Sequence, residues 1–318
     1  MDRQVLRKWL KAGFMDKSVL HPTRAGTPQG GVASPVLANL ALDGLQAALR
    51  ERFPLSHTTT RNLVHLVRYA DDFIITGNSK EILETEVRPL VESFLRDRGL
   101  ELSPEKTVVT HVEEGFDFLG QTVRWQNNKL LTKPSRKSVK RFLNRVREVI
   151  KRLSSESAGT VVRALNPMIR GWANYHRHGV SSDIFRYVDH AIWQALWRWA
   201  KRRHRGRRKR WVKDKYFPAR QRRRWNFSGS ITRADGTKAT VVLVKAHDLP
   251  IRRHVLIKGD ANPFDPQWRD YYRERLHRRL GNALHDRQRL APPPPFIGGS
   301  TVPGDKGGRR GLSRMSGN

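Results

Sequence analysis

The spacing of apolar positions changes character along the chain and divides it into regions. Val5, Leu6, Trp9 and Leu10 form one face of a short basic helix that ends near Gly13. Ser34 reads as a helix N-cap with Pro35 at the first helical position, and the helix continues through Val36, Leu37, Leu40, Ala41, Leu45 and Leu49. Two apolar runs follow, Leu63–Val67 and Phe73–Thr76, each the length of a strand. Leu83, Val87, Leu90, Val91, Phe94 and Leu95 return to helical spacing, with Pro89 predicting a kink or split. Strands are expected over Thr107–Val112, Phe116–Leu119 and Thr122–Trp125, with a turn at Asn127-Asn128. After Pro134 the pattern is helical. Val139, Phe142, Leu143, Val146, Val149, Ile150 and Leu153 share one face. Ile184, Tyr187, Val188, Ala191, Ile192, Ala195, Leu196 and Trp199 share another, capped by Ser182 or Asp183. A small β element follows, with Asp235-Gly236 as its turn and Val241–Val244 as its best strand.

The pattern predicts an α+β chain in four parts. Residues 1–130 pack helices on an antiparallel sheet, 135–225 form a helical module, 226–290 a basic region with the β element, and 291–318 a disordered Pro/Gly-rich tail. Charge sharpens this picture. The chain of 318 residues carries 62 Lys+Arg against 29 Asp+Glu, a formal charge of +33, which calls for a polyanionic partner. The basic residues concentrate in 201–225, where 14 Lys/Arg face one acid, Asp214. Such a block repels itself unless a polyanion compensates it. Trp211, Tyr216, Phe217 and Trp225 are interleaved with it and are candidates for base stacking. An anionic membrane is the competing partner, but no run of 18 apolar residues is present, so no membrane-spanning helix is expected, and residues 1–5 lack the apolar stretch of a secretory signal. The absence of cysteine excludes disulfides and thiolate zinc sites. A cytoplasmic nucleic-acid protein is consistent with all of this.

The sharpest chemical signal is Tyr69-Ala70-Asp71-Asp72, which places adjacent carboxylates at a tight turn between the two apolar runs. Alone, the pair reads as a polar hairpin turn, and it is the surroundings that point to chemistry. Adjacent carboxylates repel, and hard cations such as Mg²⁺ relieve that repulsion through carboxylate oxygens. Two-metal sites of this kind support nucleotidyl transfer. Two further motifs stand in order around it. Thr27-Pro28-Gln29-Gly30-Gly31-Val32-Ala33-Ser34-Pro35 precedes it. Leu102-Ser103-Pro104-Glu105-Lys106-Thr107 and Phe116-Asp117-Phe118-Leu119-Gly120 follow.

Together these motifs resemble the palm of reverse transcriptases, specifically that of group II intron proteins. Leu165-Asn166-Pro167-Met168-Ile169-Arg170-Gly171-Trp172-Ala173-Asn174-Tyr175-His176 resembles the maturase domain that takes the place of the thumb. The likeness runs over roughly residues 1–270. It implies a partial right-hand polymerase palm, then a helical thumb/maturase domain, then a basic, partly disordered C-terminal region. The implied activity is RNA-directed DNA synthesis with two Mg²⁺ ions, together with intron RNA binding that promotes splicing and mobility. Asp71 and Asp72 would hold the metals, and Lys106 would act on the triphosphate. Gln29, Gly30, Gly31 and Tyr69 would line the nucleotide and template site, and Phe118, Leu119 and Gly120 would form the primer grip. Arg170, Asn174, Tyr175, His176, Arg202, Arg203, Arg207, Arg208 and Arg210 would contact RNA. Trp172 and Tyr175 read equally as core. The implied partners are intron RNA, an RNA template with its DNA primer, dNTPs and target DNA.

The chain also departs from the family's pattern. The resemblance implies a third catalytic aspartate on a strand before the Gly-rich loop. Asp2 and Asp16 are the only acids ahead of Gly26, and neither lies in a strand-like apolar run. The fingers and that strand are therefore expected to be missing, and either a separate N-terminal polypeptide or a preceding segment of the same gene would supply the carboxylate. Residues 253–272 resemble the segment leading into the family's zinc-supported nuclease domain, and that domain is expected to be absent because the sequence has no cysteine. The alternative expectation is a non-catalytic RNA-binding maturase or a truncated remnant.

Overall fold

A computed structural model describes residues 2–16, 19–22, 34–54, 63–219, 225–233, 235–258 and 261–278. The Gly-rich loop with Gln29, Gly30 and Gly31 lies outside these residues, as does the Pro/Gly-rich tail. The chain is α+β and divides into two compact units, Met1–Ser138 and Val139–Asn318.

The first unit opens with α1 (Arg3–Lys11), which stops before Gly13. A short antiparallel pair, β1 (Phe14–Asp16) and β2 (Val19–His21), follows. The helix expected from Ser34 through Leu49 is instead two helices, α2 (Ser34–Ala41) and α3 (Leu45–Arg52). The break falls at Gly44, whose φ of 87° is left-handed and ends helical propagation. β3 (His65–Tyr69) and β4 (Asp72–Thr76) form a two-residue hairpin in the register Leu66↔Ile75, Arg68↔Phe73 and Tyr69↔Asp72. The Pro89 split is present. After α4 (Lys80–Ile82), one π-helical turn over Leu83–Val87 precedes α5 (Arg88–Arg96). Proline lacks the amide that a regular ladder would need at that point. Leu45, Leu49, Phe53, Val87, Val91 and Leu95 are buried together, and Leu66, Phe73 and Ile75 of the hairpin pack against them.

A three-stranded antiparallel sheet closes this unit: β5 (Phe116–Phe118), β6 (Gln121–Gln126) and β7 (Lys129–Pro134). Leu119 and Gly120 both have positive φ, as do Asn127 and Asn128. These are the two-residue turns that suit strand twist. The expected strand over Thr107–Val112 is absent. β7 pairs with the whole of β6 and β5 with Gln121–Val123; on the rest of that edge the Val112 carbonyl accepts the Trp125 amide at 2.8 Å.

The second unit is built on three long helices, α6 (Arg136–Arg152), α7 (Ala158–His176) and α8 (Ser182–Arg203), followed by α9 (Lys209–Tyr216). The residue preceding α8 is Ser181, and its hydroxyl donates to the His176 carbonyl at 2.6 Å rather than capping α8. The core includes Val146, Ile150, Val161, Leu165, Ile169, Phe185, Ile192, Leu196, Trp199 and Phe217. β8 (Ser228–Thr232) and β9 (Lys238–Val242) form a hairpin across the start of α7. The strand is thus displaced toward the Asp235-Gly236 turn relative to the expected Val241–Val244. Leu243 instead donates to the Phe227 carbonyl, and Val244 donates to the Asn166 side chain.

Two contacts lock the hairpin to the helices. Gly159 and Gly229 meet so closely that a Cβ on Gly159 would lie 2.2 Å from the Ser230 carbonyl oxygen. Asn166 donates to the Val242 carbonyl at 3.0 Å and accepts from the Val244 amide at 2.9 Å. Beyond the hairpin, Asp189 of α8 accepts the Ala246 and His247 amides at 2.7 and 3.0 Å. Burial raises its pKa despite those two donors.

Candidate metal and nucleic-acid sites

In the first unit the strand period alternates sides. Leu66 and Arg68 turn toward the helices, while Val67 and Tyr69 face solvent, with Tyr69 65% exposed. Ala70 takes φ 54° at the turn, which costs a non-glycine residue about 1 kcal/mol. Arg68 supports this conformation. Its guanidinium donates to the Ala70 carbonyl at 3.2 Å and to the Asn39 side chain at 2.9 Å, tying the turn to α2. Asp71 and Asp72 are both exposed at the tip, and neither has a hydrogen-bond or ion-pair partner among the described residues.

Asp71 and Asp72 fit one kind of metal site. Mg²⁺ is typically held by one or two carboxylates together with substrate phosphates and water, rather than by a cage of protein ligands. No group of three His, Cys, Asp or Glu able to hold a metal occurs among the described residues. Lys106 is exposed on the turn after Ser103, whose carbonyl accepts the Lys106 and Thr107 amides at 3.1 and 2.9 Å. At the β5–β6 turn, Phe118 and Leu119 are half-buried and Gly120 is exposed, its carbonyl accepting the Ser135 amide at 3.0 Å.

In the second unit the expected RNA contacts separate into surface and core. Arg170 and Asn174 are exposed, and Tyr175 is 52% exposed. His176 is 1% exposed, with its ring 4.7 Å from Trp172 and 4.9 Å from Tyr175. Burial lowers its pKa to about 4. A neutral side chain inside the core does not meet RNA, so the expectation for His176 is corrected. Trp172 stacks on Phe142 at 4.7 Å and belongs to the core.

The aromatics of 201–225 divide in the same way. Tyr216 and Phe217 are buried, because α9 turns its Val212/Tyr216 face inward. The Tyr216 hydroxyl lies 2.7 Å from His204 Nε2. Burial, and then the charges of Lys215, Arg203 and Arg207, hold the His204 pKa down. Trp225 meets Trp193 edge-on at 5.7 Å. Trp211 is half-buried, with the Arg207 guanidinium 5.3 Å and the Lys215 ammonium 4.7 Å from its ring centre.

Arg202, Arg207, Arg208 and Arg210 are exposed; Arg210 lies 4.0 Å from Asp214. Arg203 is committed to the fold, because it donates to the Ser154 and Glu156 carbonyls at 3.1 and 2.8 Å. Sequence reasoning found α6 but overlooked its basic face. This helix carries eight Lys/Arg against one acid, Glu148, a bias visible in the sequence once the apolar face is subtracted. It gave no role to Arg68, Asn39, Asn166 and Asp189, each of which has a partner far away in sequence. Among the described residues no helix is long and apolar enough to cross a membrane.

The chain is similar to known proteins in two successive stretches. Residues 1–123 match the family described as Reverse transcriptase (RNA-dependent DNA polymerase), and residues 139–217 match Group II intron, maturase-specific domain. The Group II intron-encoded protein LtrA of Lactococcus lactis subsp. cremoris is 30% identical over 196 residues, covering 44% of this chain and 32% of that protein. Protein YkfC of Escherichia coli (strain K12) is 32% identical over 144 residues, covering 36% and 37%. The Putative COX1/OXI3 intron 2 protein of Saccharomyces cerevisiae is 28% identical over 173 residues, covering 38% and 20%. The chain thus spans between 20% and 37% of the length of these relatives. With a reverse-transcriptase match and a maturase-specific match following one another along one chain, the protein belongs to the group II intron reverse transcriptase/maturase family.

Proposed function

We propose that this chain is the palm and thumb portion of an RNA-directed DNA polymerase that also binds its intron RNA and promotes splicing. The observation that carries the catalytic part is the Tyr69–Asp72 turn, where two carboxylates stand exposed on a hairpin inside the reverse-transcriptase match. Asp71 and Asp72 would hold Mg²⁺. Such an ion, when bound, supplies charge stabilisation on a transferring phosphoryl group and orients the primer hydroxyl. Arg68 positions the turn, and Tyr69 presents its ring beside Asp72 on the same face, toward template and dNTP. Lys106 would offset charge on the leaving pyrophosphate. Gln29, Gly30 and Gly31 would line the nucleotide site, and Phe118, Leu119 and Gly120 would hold the primer end. A separate N-terminal polypeptide would contribute a further carboxylate.

The maturase part is supported by the basic second unit and its maturase-specific match. Arg170, Asn174 and Tyr175, exposed on α7, remain RNA contacts in this reading, with Arg202, Arg207, Arg208 and Arg210. The test is twofold. Primer extension on an RNA template with dNTPs and Mg²⁺, by the chain alone and with the polypeptide encoded upstream, should vanish in Asp71→Ala. Binding should favour intron RNA over an unrelated RNA of equal length. Extension that survives Asp71→Ala would refute the catalytic assignment, and equal affinity for both RNAs would refute the maturase assignment.

A further inference from the structure

The C-terminal ends of α6 and α8 flank an open cleft of about 350 Å³ lined by Lys151, Ser154, Trp199, Arg202 and Arg203. Cations at helix C-termini ordinarily compensate exposed carbonyls. Here other groups already do so. The Trp199 indole donates to the Leu153 carbonyl at 3.1 Å, and Arg203 donates to the carbonyls of Ser154 and Glu156. Trp199 is 2% exposed, so it forms a fixed floor, and Arg203 forms a fixed wall with its guanidinium 5.4 Å from the Trp199 ring centre. Lys151 and Arg202 are left exposed. Neither side chain has an ion-pair or hydrogen-bond partner among the described residues, and the same holds for the Ser154 hydroxyl. Two unpaired cations and a hydroxyl around a preformed cleft are the donor set of a phosphate site. Lys140, Asn144, Arg147 and Lys151, spaced at i, i+4, i+7 and i+11, lead along α6 to it, a track of about 16 Å.

We propose that this cleft anchors phosphates of an RNA strand, through Lys151, Arg202 and Ser154. The inference rests on the reading of the second unit as an RNA-binding module and assigns it a specific site. The test uses the full chain and the double substitution Lys151→Gln/Arg202→Gln. Its control, Arg233→Gln/Lys238→Gln, removes the same charge from the exposed end of the β8–β9 hairpin. Two probes are titrated against salt, a structured group II intron RNA and oligouridylate. Loss of two phosphate contacts should reduce the slope of log affinity against log salt by about 1.4 on single-stranded oligouridylate and by up to about 2 on the structured RNA, while the control changes it by less than about 1. Circular dichroism should show all three proteins folded alike, because neither substituted side chain in the cleft makes an internal hydrogen bond or ion pair.

Equal slopes in the two double variants would overturn the cleft. Oligouridylate keeps the two readings separable. Intron RNA binding no better than oligouridylate counts against the maturase function, while the slope change on oligouridylate still decides the cleft.

Discussion

Mild acid should destabilise the second unit through His176. The unfolded chain protonates this imidazole near 6.5, whereas burial in the folded core lowers its pKa to about 4. The unfolded state therefore binds more protons throughout that interval. Stability is fully present above pH 6.5 and is lost as pH falls toward 4. At pH 5, about 1.5 pH units below the unfolded value, protonation favours the unfolded state by about 2 kcal/mol, at about 1.36 kcal/mol per unit. Other groups titrate over the same range, so the comparison must be differential. His176→Phe keeps an aromatic ring beside Trp172 and removes the titration; whatever it costs in packing does not change with pH. Urea unfolding of both proteins would be followed by tryptophan fluorescence between pH 7 and pH 5. Trp172, Trp193, Trp197, Trp199 and Trp211 make that signal a report on the second unit. The wild type should lose about 2 kcal/mol more than the variant over this range. Parallel losses in the two proteins would refute the burial argument, and a nuclear magnetic resonance titration of His176 near 6.5 would do the same.

The remaining expectations concern the lock between hairpin and helices. Asn166→Ala leaves the Val242 carbonyl and the Val244 amide without their partner, so it should cost about 2–4 kcal/mol in urea unfolding. A cost under about 0.5 kcal/mol would show that water replaces the side chain freely. Gly159→Ala places a Cβ against the Ser230 carbonyl and should lower the unfolding midpoint by the equivalent of about 2 kcal/mol or more, with an unchanged m-value if the fold is retained.

Patterning was sufficient for elements whose signal is local. The period of α6 and α8, the glycine and asparagine turns and the Tyr69–Asp72 hairpin all follow from neighbours within a few residues. The errors occurred where a distant partner decides. Thr107–Val112 has strand composition, yet β5 and β7 are the strands that pair with β6, and the segment meets β6 through the Val112 carbonyl. The apolar positions from Ser34 to Leu49 continue a helical period, yet Gly44 adopts a left-handed φ against Phe94 and divides the helix. His176 belongs to a polar-looking motif end, yet the packing of Trp172 and Tyr175 encloses it.

Chemical identity followed from the sequence by itself: +33 of charge, paired aspartates between two apolar runs and the order of the motifs, because these depend only on which residues are present and how they are spaced. Only the tertiary structure decided which of those residues are available. It buried Tyr216, Phe217 and His176, committed Arg203 to the carbonyls after α6, and left Lys151 and Arg202 facing an open cleft. Exposure and pairing are set by segments remote in the chain, and no local pattern encodes them.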